Sequence, residues 1–366
     1  MKFTVPVTAL LLSLAALAIG ARGNYAAASD AERNPYWGTS LAPAPSAQMP
    51  AAQSPAATGA IKPSVTYANA QFSSGGVGLR NRGGGAIAVS AVVSPVRAAW
   101  LYWAVITQNA PTAANEKVVV ERILPTASAT VTLTGTVVGT GPSPCWLGNR
   151  TTVYRATVPL SVFSASAGGQ TAPAAADIGN GLFEIRLEAG ASGSTAGADP
   201  FISSPLPEME GASLVVIGTG NGRVALYDMN LSGKMFHANP GLSYQLQLPI
   251  SATSAQQVLF HNIGADGQAV LESLTADPDI SNKVTTINKV AIAGPGALDN
   301  DPDWNGTIAG PLPQLWDDTG HDITSAASGT TLTVDISGPA EKSGASDCLV
   351  TVANVVAIFP HSTGTK

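Results

Sequence analysis

A two-residue hydrophobic alternation recurs along this chain and determines the secondary structure that it can form. In residues 182–188 the apolar Phe183, Ile185 and Leu187 alternate with charged side chains. Successive side chains of a β-strand point to opposite faces, so the pattern predicts a strand with one buried and one solvated face. Residues 130–133, 244–248 and 330–336 alternate in the same way. Such strands are typical of antiparallel sheets.

Other segments are apolar throughout and predict central strands that are covered on both faces. They are residues 98–106, 212–217 and 349–359. Glycine clusters lie between the strands and indicate turns, and the cluster at 218–222 is interpreted as a hairpin turn. Roughly a dozen strands are expected, and long helical periodicity is absent from the mature chain. The fold class is therefore all-β, a large antiparallel β-sandwich of jelly-roll type, with two packed halves as an alternative arrangement.

The N-terminal segment predicts export. Lys2 precedes an uncharged apolar run at 7–19, and small residues offer cleavage before Ala21 or before Ser29. The run is shorter than the roughly 20 residues that span a bilayer. We therefore assign residues 1–28 to a signal peptide, 29–64 to a disordered Pro/Ala-rich linker, 65–360 to the β-sandwich domain and 361–366 to a tail.

The composition limits the partners and the location. Only 11% of the 366 residues are charged, against about 25% in an ordinary globular protein, so Thr, Ser, Asn, Gln, Gly and Ala must form much of the surface. The net charge of −6 comes without a basic patch to neutralise phosphates, which argues against nucleic acid and anionic membranes as partners. No membrane span is predicted. We expect a secreted, extracellular or cell-surface protein, with the periplasm as an alternative.

The two cysteines, Cys145 and Cys348, both belong to the exported part of the chain. In an oxidising compartment we expect them to form one disulfide. The chain-entropy model gives so long a loop a stabilisation of about 5 kcal/mol. The bond would tie the first half of the fold to its last strand.

An acidic loop between residues 299 and 306 indicates a structural calcium site. Its oxygen-bearing residues alternate and end at Gly306, as in the first half of a calcium-binding loop. Position twelve of that pattern is Leu312 instead of a carboxylate, so Asp317 or Asp318 would have to complete the shell. The proposed ligands are Asp299, Asp301, Asp303, Asn305 and Asp317. The alternative is an ordinary Asp/Asn-rich surface turn.

No arrangement of residues predicts catalysis. Glu208 and Glu210 would lie about 6.7 Å apart in an extended chain, a separation compatible with a glycosidase acid pair, but residues 206–211 are interpreted as a loop leading into a strand. The four histidines are far apart in sequence and are interpreted as surface or structural residues. No catalytic residues are assigned.

Two tryptophans near loops, Trp304 and Trp316, are candidate sugar-binding residues. Exposed aromatic rings stack on pyranose rings through apolar contact with the ring face. The tryptophan and tyrosine residues of 98–106 are interpreted as core.

Several segments together resemble a family of secreted bacterial and archaeal β-sandwich proteins whose function is not established. The segments are 96–103, 152–158, 210–216, 223–228, 315–317 and 347–350, which sample most of 65–359. The chain departs from the family pattern at Thr157 and Met229. The resemblance implies a cell-surface or extracellular module, and it supplies no catalytic residues.

Two functional hypotheses follow. The first is a non-catalytic extracellular or cell-surface protein with a structural or adhesive role, whose partners would be surface polysaccharide or other cell-envelope proteins. The alternative is a carbohydrate-binding module or a glycan-active enzyme.

Overall fold

The computed structural model describes ten stretches of the chain. They are residues 59–143, 148–164, 178–195, 205–235, 240–265, 283–294, 296–298, 303–304, 315–337 and 347–360. All of them belong to one compact unit formed by Ala47–Pro200 and Ser204–Lys366. The predicted signal peptide and the C-terminal tail lie outside the described residues. None of the described helices is long and apolar enough to cross a membrane.

The described part of the chain is almost entirely β-structure, which confirms the all-β sandwich prediction. Its one helical turn within the described ranges is α1 (Ser161–Ser164). The strands are β1 Val65–Gly78, β2 Gly84–Val89, β3 Ala98–Thr107, β4 Lys117–Leu124, β5 Val131–Thr134, β6 Thr136–Pro142, β7 Arg150–Thr157, β8 Gly181–Leu187, β9 Glu208–Met235, β10 Pro240–Ala252, β11 Gln256–Ala265, β12 Val284–Ile287, β13 Val290–Ala293, β14 Trp316–Asp322, β15 Gly329–Ser337 and β16 Asp347–Pro360.

The described strands form three antiparallel sheets. The large sheet has the order β14-β11-β16-β9-β3-β7-β6, and β1 also pairs with β9. The two smaller sheets have the orders β10-β15-β12-β13 and β2-β8-β4-β5. The alternating segment at 182–188 forms most of β8, with Phe183 and Ile185 buried. The apolar runs form β3, β9 and β16, the central strands of the large sheet, as predicted.

Strand β9 holds the two halves of the large sheet together. Its first half pairs with β3 and its second half with β16, while β1 pairs along both. The hairpin turn predicted at 218–222 is wrong. These residues form a bulge in one long strand, in which Thr219 and Gly222 both oppose Ala70. A Cβ at Gly220 would collide with the Ala70 backbone, so the glycine permits this close approach.

Buried apolar side chains of the described residues form three hydrophobic cores. The first lies between the β2-β8-β4-β5 sheet and the β3 side of the large sheet, and it contains Trp103 and Phe183. The second lies between the β10-β15-β12-β13 sheet and the β11–β16 side, and it contains Phe260 and Val334. The central core contains residues from both halves of the large sheet, such as Tyr102. Each half of the large sheet thus has one face against a smaller sheet, and the other faces of the two halves pack against each other. This arrangement is consistent with the alternative of two packed halves.

The chain joins the fold just before the predicted boundary at residue 65. Ile61 forms a parallel bridge with Leu246, and its amide donates to the Gln245 carbonyl at 2.7 Å. Ser64 donates its amide to the Leu226 carbonyl at 2.8 Å. The last residues of the predicted linker are therefore attached to the sheets, with β1 beginning at Val65 and β16 ending at Pro360.

Candidate functional site

Asp303, a predicted calcium ligand, lies buried against strand β14. Thr319 and His321 are two positions apart on that strand and therefore share a face. Their side chains meet one oxygen of Asp303: the Thr319 hydroxyl donates to Oδ1 at 2.6 Å, and His321 Nε2 lies 2.5 Å from the same atom. Asp303 is 1% exposed. The carboxylate therefore links the 303–304 segment to the sheet from inside the molecule.

Opposing effects act on the pKa of Asp303. Burial is the largest and raises the pKa, but the hydrogen bond and positive charge of His321 and the hydrogen bond from Thr319 lower it. The result is a pKa below the ordinary carboxyl value. The folded protein therefore favours the ionised carboxylate at this position.

A chain of buried hydrogen bonds lies in the same sandwich half. The Tyr244 hydroxyl on β10 donates to Asn354 Oδ1 on β16 at 2.8 Å, and Asn354 Nδ2 donates to Asn262 Oδ1 on β11 at 3.1 Å. Burial, together with the charge of Asp303, raises the pKa of Tyr244. Asp303 Oδ2 is also buried; among the described residues no donor meets it with full hydrogen-bond geometry, but Thr285 lies near enough to help lower the pKa of the carboxyl.

The calcium prediction remains a prediction. Asp299, Asp301 and Asn305 lie outside the described residues. Asp317 is buried on β14, on the strand face shared with Thr319 and His321. Among the described positions no group of three or more His, Cys, Asp or Glu side chains could hold a metal. The alternative of a surface turn does not fit Asp303, because its carboxylate is internal.

The prediction that Trp304 and Trp316 are exposed sugar platforms is wrong. Both side chains are fully buried, so neither ring presents a face to a saccharide. A Cβ at Gly264 would collide with the Trp304 indole, and one at Gly211 with that of Trp316. Glycines on the sheet thus allow the rings to lie directly against the backbone. The Trp316 indole nitrogen donates to Ser213 Oγ at 2.9 Å.

The candidate acid pair of Glu208 and Glu210 is also internal. Both residues belong to β9 instead of the expected loop, and each is at most 3% exposed. Arg80 contacts Glu210 with Nε at 3.2 Å and with Nη2, and its Nε lies 3.8 Å from Glu208 Oε1. The arrangement is a buried ion-pair cluster that joins the start of β9 to the segment after β1.

A second histidine–carboxylate pair lies on the adjacent strands β11 and β14, and a serine of β1 contacts the same carboxylate. His261 Nε2 on β11 contacts Asp318 Oδ1 on β14, while Ser74 Oγ on β1 donates to Asp318 Oδ2 at 2.9 Å. The carboxylate lies between the serine and the histidine, whereas a hydrolytic triad places the histidine between serine and aspartate. The interpretation of His261 and His321 as structural agrees with these contacts. His237 and His361 lie outside the described residues.

Only one of the two cysteines of the predicted disulfide lies within the described residues. Cys145 lies outside the described residues. Cys348 belongs to β16, where its backbone opposes Lys234, and its side-chain position is not described. The pairing of Cys145 with Cys348 stays a prediction.

Together, the fold and these clusters define a large all-β sandwich protein whose acidic and histidine side chains form internal cross-links. No family model matches the chain, and no curated protein matches it.

Among solved structures, the chain is 12% identical to PNGase F, a glycosylasparaginase from Flavobacterium meningosepticum, over 80% of this chain and 97% of that one, with a TM-score of 0.25. It is 10% identical to the T=1 particle structure derived from infectious bursal virus, over 83% and 71% of the two chains, with a TM-score of 0.24. Likeness at this level carries no argument about function.

Proposed function

We propose that the protein is a non-catalytic extracellular or cell-surface β-sandwich with a structural or adhesive role. The observation that carries this proposal is the use of reactive side chains as internal connectors. Glu210 pairs with Arg80, Asp303 with His321, and Asp318 with His261. Each pair joins separate elements of the fold.

The burial of these groups favours a structural over a catalytic role. A general acid or base must reach a proton on its substrate, and a buried carboxylate held by arginine is neither accessible nor free to take up that proton. Removing one partner of such a pair would leave an uncompensated internal charge, at a cost of about 3–5 kcal/mol. The pairs therefore contribute to a rigid framework.

The N-terminal sequence and the composition support an extracellular location. A positive residue, an apolar run and small residues in that order are typical of a secretory signal. A framework of few charges whose surface relies on Ser, Thr, Asn, Gln and Gly suits contact with other polar surfaces, such as polysaccharide or envelope proteins. The glycan-active enzyme remains the alternative hypothesis.

Two measurements test the proposal. Cell fractionation should find the mature protein, without residues 1–28, in the medium or on isolated cell envelopes. Purified protein incubated with a panel of polysaccharides and N-glycosylated peptides should release no reducing ends or free glycans. Any turnover by the purified wild type would overturn the non-catalytic proposal, and its loss in a folded Glu210→Gln variant but not in Glu184→Gln, a partly exposed control, would assign the activity to Glu210. Retention of the mature protein in the cytoplasm would overturn the extracellular one.

A further inference from the structure

A partly exposed group of aromatic and charged residues lies at the rim of the central core. We call it the seam patch, and it consists of Tyr67, Arg97, Trp100, Arg155 and Asp228. These residues come from β1, the segment before β3, β3 itself, β7 and the second half of β9. Tyr67 and Trp100 pack against the edge of the central core. The patch therefore draws on both halves of the large sheet.

The aromatic part of the seam patch is held in place by polar contacts. The Trp100 indole nitrogen donates to the Tyr67 hydroxyl at 2.9 Å. The guanidinium carbon of Arg155 lies 4.6 Å from the centroid of the Trp100 ring, and that of Arg97 lies 5.9 Å from the Tyr67 centroid. Both distances fall within the range of cation–π attraction. The two rings are thus fixed relative to each other before any ligand binds.

Arg155 is neutralised within the patch. Its guanidinium donates to Asp228 Oδ2 at 2.6 Å, and the Tyr102 hydroxyl donates to Asp228 Oδ1 at 2.9 Å. The Asp228 amide in turn donates to Ser64 Oγ at 3.0 Å. The side chains of Arg155 and Asp228 remain 22% and 20% exposed. A ligand could therefore still reach this ion pair from solvent.

Arg97 supplies a charge that the patch does not neutralise. Its Nη1 donates to the main-chain carbonyls of Ala68 at 2.5 Å and Asn69 at 2.9 Å, which orient the guanidinium without cancelling its charge. Asn69 has a φ of 51° and lies at the bulge in β1. No carboxylate is among the contacts of Arg97 with the described residues, and the side chain is exposed. The seam patch thus carries a net charge of about +1 by formal count of two arginines and one aspartate, on a protein of net charge −6.

We propose that the seam patch binds an acidic polysaccharide, with a uronate unit against the parts of the two aromatic rings that the guanidinium groups leave uncovered and its carboxylate on Arg97. This inference rests on the adhesive role proposed above. Aromatic rings stack on sugar rings through apolar contact, and a guanidinium recognises a carboxylate with a planar, two-pronged hydrogen-bonding group. One uncompensated arginine is too little to bind nucleic acid, which requires several phosphate contacts. A prearranged site also loses less side-chain entropy on binding.

The experiment measures binding by isothermal titration calorimetry and by affinity electrophoresis. The probes are polygalacturonate as the uronate polymer, dextran as the neutral polymer and polyphosphate as a non-saccharide polyanion. The wild type should bind polygalacturonate, with an affinity that falls as sodium chloride is raised, and should bind dextran and polyphosphate at least tenfold more weakly. Arg97→Gln should reduce the affinity for polygalacturonate at least tenfold, and Tyr67→Leu should also weaken it.

The matched control is Arg150→Gln, which removes an exposed arginine at the far end of β7 and should leave binding unchanged. Each variant must melt within about 2 °C of the wild type. If Arg97→Gln unfolds, it is replaced by Arg97→Lys, which keeps the charge but lacks the guanidinium. Absence of polygalacturonate binding, or equal affinities of Arg97→Gln and Arg150→Gln, would overturn the inference. Equal binding of polyphosphate would replace it with a general anion surface, and equal binding of dextran would overturn the acidic preference. Envelope association measured by fractionation would still support the proposed function.

Discussion

Replacing Asp303 with Asn tests whether its contact with His321 stabilises the second half of the fold. The substitution keeps the size of the side chain and one carbonyl oxygen, but it removes the negative charge. Hydrogen bonds to a charged group contribute about 1.5–3 kcal/mol, and Asp303 is 1% exposed, so solvent screens the contact little. Asn retains an acceptor for Thr319, so we expect the free energy of unfolding to decrease by about 2–4 kcal/mol. Breaking a buried ion pair by removing one partner costs about 3–5 kcal/mol, and the expected value lies around the lower end of that range.

The unfolding entropy converts this loss into a melting shift. At about 2.1 cal/mol/K per residue, a folded region of about 300 residues has an unfolding entropy near 0.6 kcal/mol/K. The expected decrease in Tm is therefore about 3–6 °C at pH 7 by differential scanning calorimetry. Asp322→Asn is the matched control, because it removes the charge of the exposed neighbour of His321 on β14 and should shift Tm by much less.

The pH dependence gives a second readout. The pKa of Asp303 is lowered from 3.8 in the folded state, so its contribution is fully present above that value and disappears as the pH falls through the lower folded pKa. The Tm gap between the wild type and Asp303→Asn should therefore narrow below about pH 4. Equal Tm values for Asp303→Asn and the control at pH 7 would refute the reasoning, as would a gap that stays constant on acidification.

Four further predictions concern other parts of the molecule. Glu210→Gln removes the carboxylate that Arg80 contacts with two nitrogens and should cost about 3 kcal/mol in urea unfolding; a loss below 1 kcal/mol would contradict the ion-pair argument. Burial, with a smaller contribution from a nearby glutamate, raises the pKa of Tyr154 to about 12, so the stability that this tyrosine contributes is complete below pH 10 and is lost as the pH rises through 12. Tyr154→Phe should reduce the loss of stability between pH 9 and 11, and an identical loss in both proteins would count against it. Thiol titration of the denatured, non-reduced protein should find Cys145 and Cys348 both blocked, whereas two free thiols would exclude the disulfide. Millimolar calcium should raise the Tm of the wild type above its value in EDTA if the acidic loop binds the ion, because a hundredfold excess over Kd increases the free energy of unfolding by about 2.7 kcal/mol; equal Tm values would remove the calcium prediction.

The fold class followed from local patterns because burial in a sheet repeats every second residue. Residues 182–188 show this directly, since the side chains predicted to face inward include the buried Phe183 and Ile185. The glycine cluster at 218–222 was misinterpreted for a different reason. A hairpin turn and a bulge both require glycine, and the choice between them depended on β1, which runs beside β9 on both sides of the cluster. That partner is about 150 residues away in sequence, so local pattern did not distinguish the two.

The tryptophan error has the same origin. Positions close to predicted loops favoured exposure for Trp304 and Trp316, but the sheet glycines Gly264 and Gly211 provide space for the rings. These glycines are distant in sequence from the rings that they accommodate. Whether a large aromatic side chain is exposed therefore depends on the residues that pack against it. Because those residues are distant in sequence, the local pattern does not identify them.

The polar clusters show which part of a site a sequence can predict. Strand β14 has the sequence Trp-Asp-Asp-Thr-Gly-His-Asp, which carries polar residues on both faces of a strand whose buried members include Asp317 and His321. Buried polar groups almost always have hydrogen-bond partners, so such a strand requires complementary groups on both sides. The kind of partner that each buried group needs follows from its own chemistry: here carboxylates pair with the histidines, and hydroxyls donate to the carboxylates. Which residues serve as the partners does not follow from the sequence. Ser74 and Asp318, for example, are 244 positions apart and meet only through the order of the strands in the large sheet.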